Sequence, residues 1–106
     1  MDEQVINLVE GDKSLMFWSG RKNGRDVYEK QVSKKITQGD LENGFTIVFP
    51  ASIEYVNYSF VQGFFSSLST NLDKNKIKKV VQIRSDQEGF ADLVWEKFLN
   101  NPLDEV

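Results

Sequence analysis

Residues 44–72 read GFTIVFPASIEYVNYSFVQGFFSSLSTNL, and a change of period inside this stretch decides the fold. Phe45, Ile47 and Phe49 alternate with Thr46 and Val48 and stop at Pro50, the pattern of a short central strand covered on both faces. From Asn57 the apolar positions fall at Phe60, Phe64, Leu68 and Leu72, the spacing of one face of a helix. A strand that passes into a helix and is followed by another strand predicts a right-handed crossover and a parallel sheet.

On the amino-terminal side, two apolar runs, Gln4 to Val9 and Leu15 to Trp18, flank Glu10-Gly11-Asp12-Lys13, which predicts a β-hairpin. Tyr28, Val32 and Ile36 then repeat at helical spacing. They predict a first helix from about Gly24 to Thr37, with Lys34 and Lys35 in its last turn and Gly39 as its cap. On the carboxyl side, Ile77 to Ile83 is rich in β-branched residues and predicts a strand. Ser85-Asp86-Gln87-Glu88 has the form of a capping box, ahead of a third helix with Phe90, Val94 and Phe98 on one face and Pro102 at its end. The expected fold is α/β: one compact domain over residues 1–106, with an acidic tail at 102–106. Its mixed, mostly parallel sheet has about four strands with an N-terminal hairpin, and three helices accompany it. The expected core comprises Phe45, Ile47, Phe49, Phe60, Phe64, Leu68, Val81, Ile83, Val94 and Phe98.

Composition narrows the function. The 106 residues are 40% hydrophobic and 27% charged, with 2 Pro and 7 Gly, as in a chain that folds on its own. Thirteen basic against sixteen acidic residues leave a net charge of −3, which argues against nucleic acid and acidic membranes as partners. There is no Cys and no His, so disulfides, thiol nucleophiles, Cys/His zinc sites and imidazole bases are excluded, and no metal or cofactor is expected. The amino terminus is acidic where a secretion signal would be basic, and no apolar run approaches the roughly 18 residues of a membrane span, so the expected setting is cytoplasmic.

The stretches SGRKNGRDVYEKQV and GFTIVFPASIEYVNYSFVQGFFSSL give a Gly/Arg turn into a helix, then an apolar strand, a short loop, and Ser-Phe opening the next helix. Over roughly residues 15 to 100 this pattern resembles the bacterial STAS-like domains of unknown function. The resemblance implies a fold similar to that of the anti-sigma-factor antagonists. Those proteins bind a kinase-like anti-sigma factor and are switched by phosphorylation of a serine at the start of the second helix, the position of Ser59 here. In those antagonists an Asp-Ser pair and a Gly surround the serine, whereas here Asn57-Tyr58 precede it and Phe60 follows.

Each candidate site has a structural alternative. Ser59 opens the second helix, at about 57–72, where a phosphate would meet free N–H groups, but Asn57 and Ser59 are equally good caps. Arg21, Gly24 and Arg25 lie in a turn able to hold an anion, or simply one in water. Lys74, Lys76, Lys78 and Lys79 read as a solvated loop and strand end. Between Glu54 and Asp73 no residue is charged. On a helical wheel Ser59, Gln62, Gly63, Ser66, Ser69 and Thr70 supply a smooth neutral face for a partner, and Tyr58, Val61 and Phe65 extend it at the margin of the apolar arc. The alternative is a helix tucked under the same chain, with Gly63 allowing close packing. The leading expectation is a non-catalytic binding or switch module, docking a partner protein through the second helix. Against it stand a small acidic inhibitor of another macromolecule, and a small enzyme or nucleotide-binding protein built on Arg21 to Arg25. Pairing of the domain with itself is left open.

Overall fold

The structure is a computed structural model that describes residues 4–9 and 17–99. The expected hairpin turn at 10–13 and the tail at 102–106 lie outside the described residues. In chain order the elements are β1 (Gln4–Asn7), β2 (Phe17–Trp18), α1 (Arg21–Gln31), α2 (Gln38–Asn43), β3 (Phe45–Val48), β4 (Tyr55–Val56), α3 (Tyr58–Phe64), α4 (Ser66–Ser69), α5 (Lys74–Val80), β5 (Val81–Arg84) and α6 (Phe90–Leu99). They form one compact α/β domain.

The main sheet runs β1-β3-β5 with both pairings parallel, and Ile6, Ile47 and Ile83 stand in one row across it. That row and its neighbours Phe45 and Val81 are buried, whereas Val5, Asn7, Gln82 and Arg84 on the opposite face are exposed. Right-handed connections through strands taken in sequential order carry both crossovers to the same face, which explains this one-sided burial. Thr46 sits at the centre of the outer face, is itself buried, and donates its hydroxyl to Gln82 Oε1 at 3.4 Å. The expected hairpin is not formed: β1 pairs with β3, and β2 pairs in parallel with β4 in a separate two-stranded sheet. Burial decides this, because Ile6 and Leu8 complete the row beside β3 while Trp18 stacks on Phe60 at 5.3 Å.

The helices also divide differently from the expectation. The first ends at Gln31, and Thr37 begins a new one instead of closing the old: its hydroxyl accepts from the Asp40 N–H and the Asp40 carboxylate accepts from the Thr37 N–H, a complete capping box. Gly39 therefore lies inside α2, and the positive φ of 102° falls to Gly44 at its end. The long second helix breaks at Phe65, where the Ser66 hydroxyl donates to the Gly63 carbonyl at 2.7 Å in competition with the backbone ladder. Lys74 to Val80 are helical because Asp73 caps them by accepting from the Lys76 N–H at 2.8 Å, so the strand begins only at Val81. The Ser85 hydroxyl accepts from the nearby Gln87 N–H, a local turn, and α6 starts later, at Phe90. All ten expected core residues are buried.

At the centre α1 crosses α3 with backbone against backbone. A Cβ on Gly24 would collide with the Phe60 carbonyl, and one on Gly63 with the Arg21 carbonyl. Around this crossing the rings interlock: Tyr28 meets Phe64 edge-on at 5.6 Å, Phe49 lies 5.7 Å from Phe64, and Phe65 lies 4.5 Å from Phe98. Gly63→Ala should therefore cost at least about 2 kcal/mol, since rigid backbone cannot yield and the roughly 1 kcal/mol gain in helix propensity is smaller. Gly39→Ala, whose Cβ would make only ordinary contacts, should be neutral or stabilise by about 0.5 kcal/mol. Denaturant melts of the two variants check the pair.

Candidate functional site

Because β2 and β4 are parallel, the turns that follow them lie at one end of the molecule, and the starts of α1 and α3 meet there. Asn57 joins them. Its side-chain oxygen accepts from the Phe60 N–H at 2.9 Å and from the Gly20 N–H at 3.3 Å, and its own N–H donates to the Trp18 carbonyl at 3.2 Å. The cap of α3 is thus Asn57, while Ser59 stands half-buried one residue inside the helix. Arg21 and Arg25 are exposed at the same end. Lys22 is engaged with Asp26 at 3.1 Å. Gly24, expected to open the backbone to an anion, is instead buried beneath α3, so its missing side chain serves helix packing.

The neutral stripe on α3 and α4 is brought together, though part of it is already engaged. Tyr58, Gln62 and Ser66 are half-buried, and Ser69 and Thr70 are exposed. Gln62 Nε2 donates to the Lys97 carbonyl on α6 at 3.3 Å, and the Thr70 hydroxyl donates to the Ser66 carbonyl at 3.3 Å. Val61 and Phe65 are fully buried and add nothing to the surface, because the break at Phe65 turns that ring onto Trp95 and Phe98.

Two surface residues that the sequence reading passed over complete the stripe. Phe17 and Tyr55 face each other in register across β2 and β4, and they remain 51% and 43% exposed. Lys97, whose carbonyl holds Gln62, reaches back to place its ammonium 4.9 Å from the centre of the Tyr55 ring, so the aromatic pair and the stripe are continuous. Strand alternation was the available signal: Trp18 and Val56 point inward, hence Phe17 and Tyr55 point outward. Lys74 and Lys78, expected in a solvated loop, lie 5.3 Å over the Phe98 and Trp95 rings.

Two cavities lie elsewhere. One of about 370 Å³ sits beyond the carboxyl ends of β3 and β5, lined by Arg84, Asp86, Glu88 and Asp92 among others. A larger one, about 510 Å³, lies between α2 and α4, with Tyr28 in its wall. Neither adjoins the stripe's exposed aromatics. Among the described residues no helix is long and apolar enough to cross a membrane. In comparisons with protein-family models, curated proteins and solved structures, nothing matches the chain. The arrangement offers hydroxyls, carboxamides, two exposed rings and one ammonium, a set suited to holding a surface.

Burial pushes the Tyr28 phenol up from 10.0 to about 12. In the unfolded chain this proton leaves near pH 10, whereas the folded chain keeps it to about 12, so the contribution to stability is whole below pH 10 and lost as pH rises between the two. Chemical denaturation across that window should show stability falling with pH, and Tyr28→Phe should flatten the fall.

Proposed function

We propose that the chain is a non-catalytic protein-binding module that docks a partner through the α3–α4 stripe and its aromatic extension, with phosphorylation of Ser59 as the switch. The observation that carries this reading is the exposed pair Phe17 and Tyr55, side by side on a two-stranded ladder next to Gln62 and Lys97. Aromatic residues are enriched at the centres of protein interfaces and charges are depleted there, and the stripe from Tyr58 to Thr70 contains no charged residue. Covering the two rings removes apolar area from water, while the small hydroxyl side chains of Ser66, Ser69 and Thr70 lose little conformational entropy.

Ser59 suits the switch because Asn57 performs the capping, which leaves the serine hydroxyl outside that role. A phosphate adds about −1.5 to −2 charge, which a helix start tolerates and an uncharged interface does not. The setting is cytoplasmic. The partner is a protein, of the kinase-like ATPase regulator kind that the STAS-like resemblance implies, and the module uses no cofactor, nucleic acid or membrane.

The test is capture from native lysate with the parent chain, the double variant Phe17→Ser/Tyr55→Ser, Ser59→Glu and Ser69→Glu. One protein should be retained by the parent, and each variant should bind it at least about tenfold more weakly, which is about 1.4 kcal/mol. Melting temperatures of the double variant and of Ser69→Glu should stay within a few degrees, since exposed substitutions usually cost under about 0.5 kcal/mol, and half-buried Ser59→Glu should still fold because a helix start tolerates negative charge. Equal retention by the double variant would remove the aromatic pair from the docking face. Loss of folding in Ser59→Glu, with Ser69→Glu silent, would make Ser59 a structural residue.

A further inference from the structure

The larger cavity is an open cleft bordered by parts of four helices, and it takes Ser67 and Leu68 from α4 where the docking stripe takes Ser66 and Ser69. Its walls are Tyr28 from α1, Ile36 from the following turn, Leu41 from α2, Leu68 from α4, and Leu72 ahead of α5. Five apolar side chains around about 510 Å³ match the size and lining of small-molecule sites, which run from roughly 300 to 1,000 Å³.

Its polar groups narrow the ligand. Gln38 and Asn71 bring carboxamides and Ser67 a hydroxyl, and the two charged residues on the lining, Glu42 and Lys76, are of opposite sign. An acid would meet Glu42 and a base would meet Lys76, so neither ion gains from the whole lining. Helix α2 holds its side of the cleft in place: the Thr37–Asp40 capping box starts it, Gln4 Nε2 of β1 donates to the Asp40 carboxylate at 2.9 Å, and Leu41 packs against the core.

We propose that the cleft between α2 and α4 is a binding site for a small, uncharged, mostly apolar molecule carrying a single hydrogen-bonding group. Tyr28 keeps its proton at neutral pH and donates to that group, while Ile36, Leu41, Leu68 and Leu72 bury the remainder.

Three probes of equal shape test this on the full chain by amide NMR titration: benzyl alcohol, benzoate and benzylamine. Benzyl alcohol should give saturable shifts gathered at Tyr28, Leu41, Leu68 and Leu72, and the two ions should bind at least about tenfold more weakly. Leu41→Trp, which fills the space from α2, should abolish the saturable shifts. Asn71→Trp, at an exposed wall position, repeats the test if the first variant fails to fold. The proposal is overturned if benzyl alcohol produces no saturation, if benzoate or benzylamine binds as well, or if its shifts gather at Phe17 and Tyr55. It is equally overturned if the filled variants bind undiminished, or if the same amides shift with protein concentration alone, which would make a second copy the occupant.

Discussion

Two glycines on two helices hold the architecture together. Gly24 and Gly63 let α1 and α3 cross with their backbones in contact, and a methyl group at either position would strike a carbonyl of the other helix. Helices that approach this closely must begin together if their preceding strands are to pair, and β2 and β4 do pair in parallel just before them. Asn57 then caps α3 and receives the Gly20 N–H in one group, so a single side chain serves both helix starts. The smaller sheet exists because the crossing brings its strands side by side, and the exposed aromatic pair exists because that sheet has an outer face.

The same crossing accounts for the long uncharged segment. Phe60, Val61, Phe64 and Phe65 are committed to the core, Gly63 to the crossing, and Gln62 to α6. A charged side chain at any of these positions would be buried without a partner. What reaches the surface is therefore a residue of this constraint: half of Tyr58 and Ser66, the whole of Ser69 and Thr70, and the rings at Phe17 and Tyr55. Internal packing and a neutral outer stripe are two sides of one helix, and the structural reading of the segment holds for its inner side.

Sidedness governs the rest. With β1, β3 and β5 in sequential order, helices gather on one face of the main sheet, and the other face carries the exposed Val5 and Asn7 of β1 and Gln82 and Arg84 of β5 in regular alternation. Room on the crowded face is limited, and α2 is left with no fully buried residue of its own. The cavity under α2 is the space that a six-residue helix does not fill.

The period of the apolar residues, read along the chain, already determines the α/β class, the central strand at Phe45 to Val48, and every expected core position, because burial of one face is a local property of the repeat. Short elements were not legible in this way. Helices α2 and α5 have six and seven residues, too few for a period to establish itself, and their only local mark is a cap, at Thr37 and Asp73. The partner of each strand was undetermined by sequence, since Gln4 to Val9 and Leu15 to Trp18 satisfy a hairpin as well as two separate sheets. Tertiary packing alone chose between them, because the burial of Ile6 beside Ile47 and of Trp18 on Phe60 involves residues far apart in the chain. It likewise decided that Gly24 packs a helix instead of opening to an anion, and that Asn57, not Ser59, is the cap, since each choice depends on a group contributed by another segment.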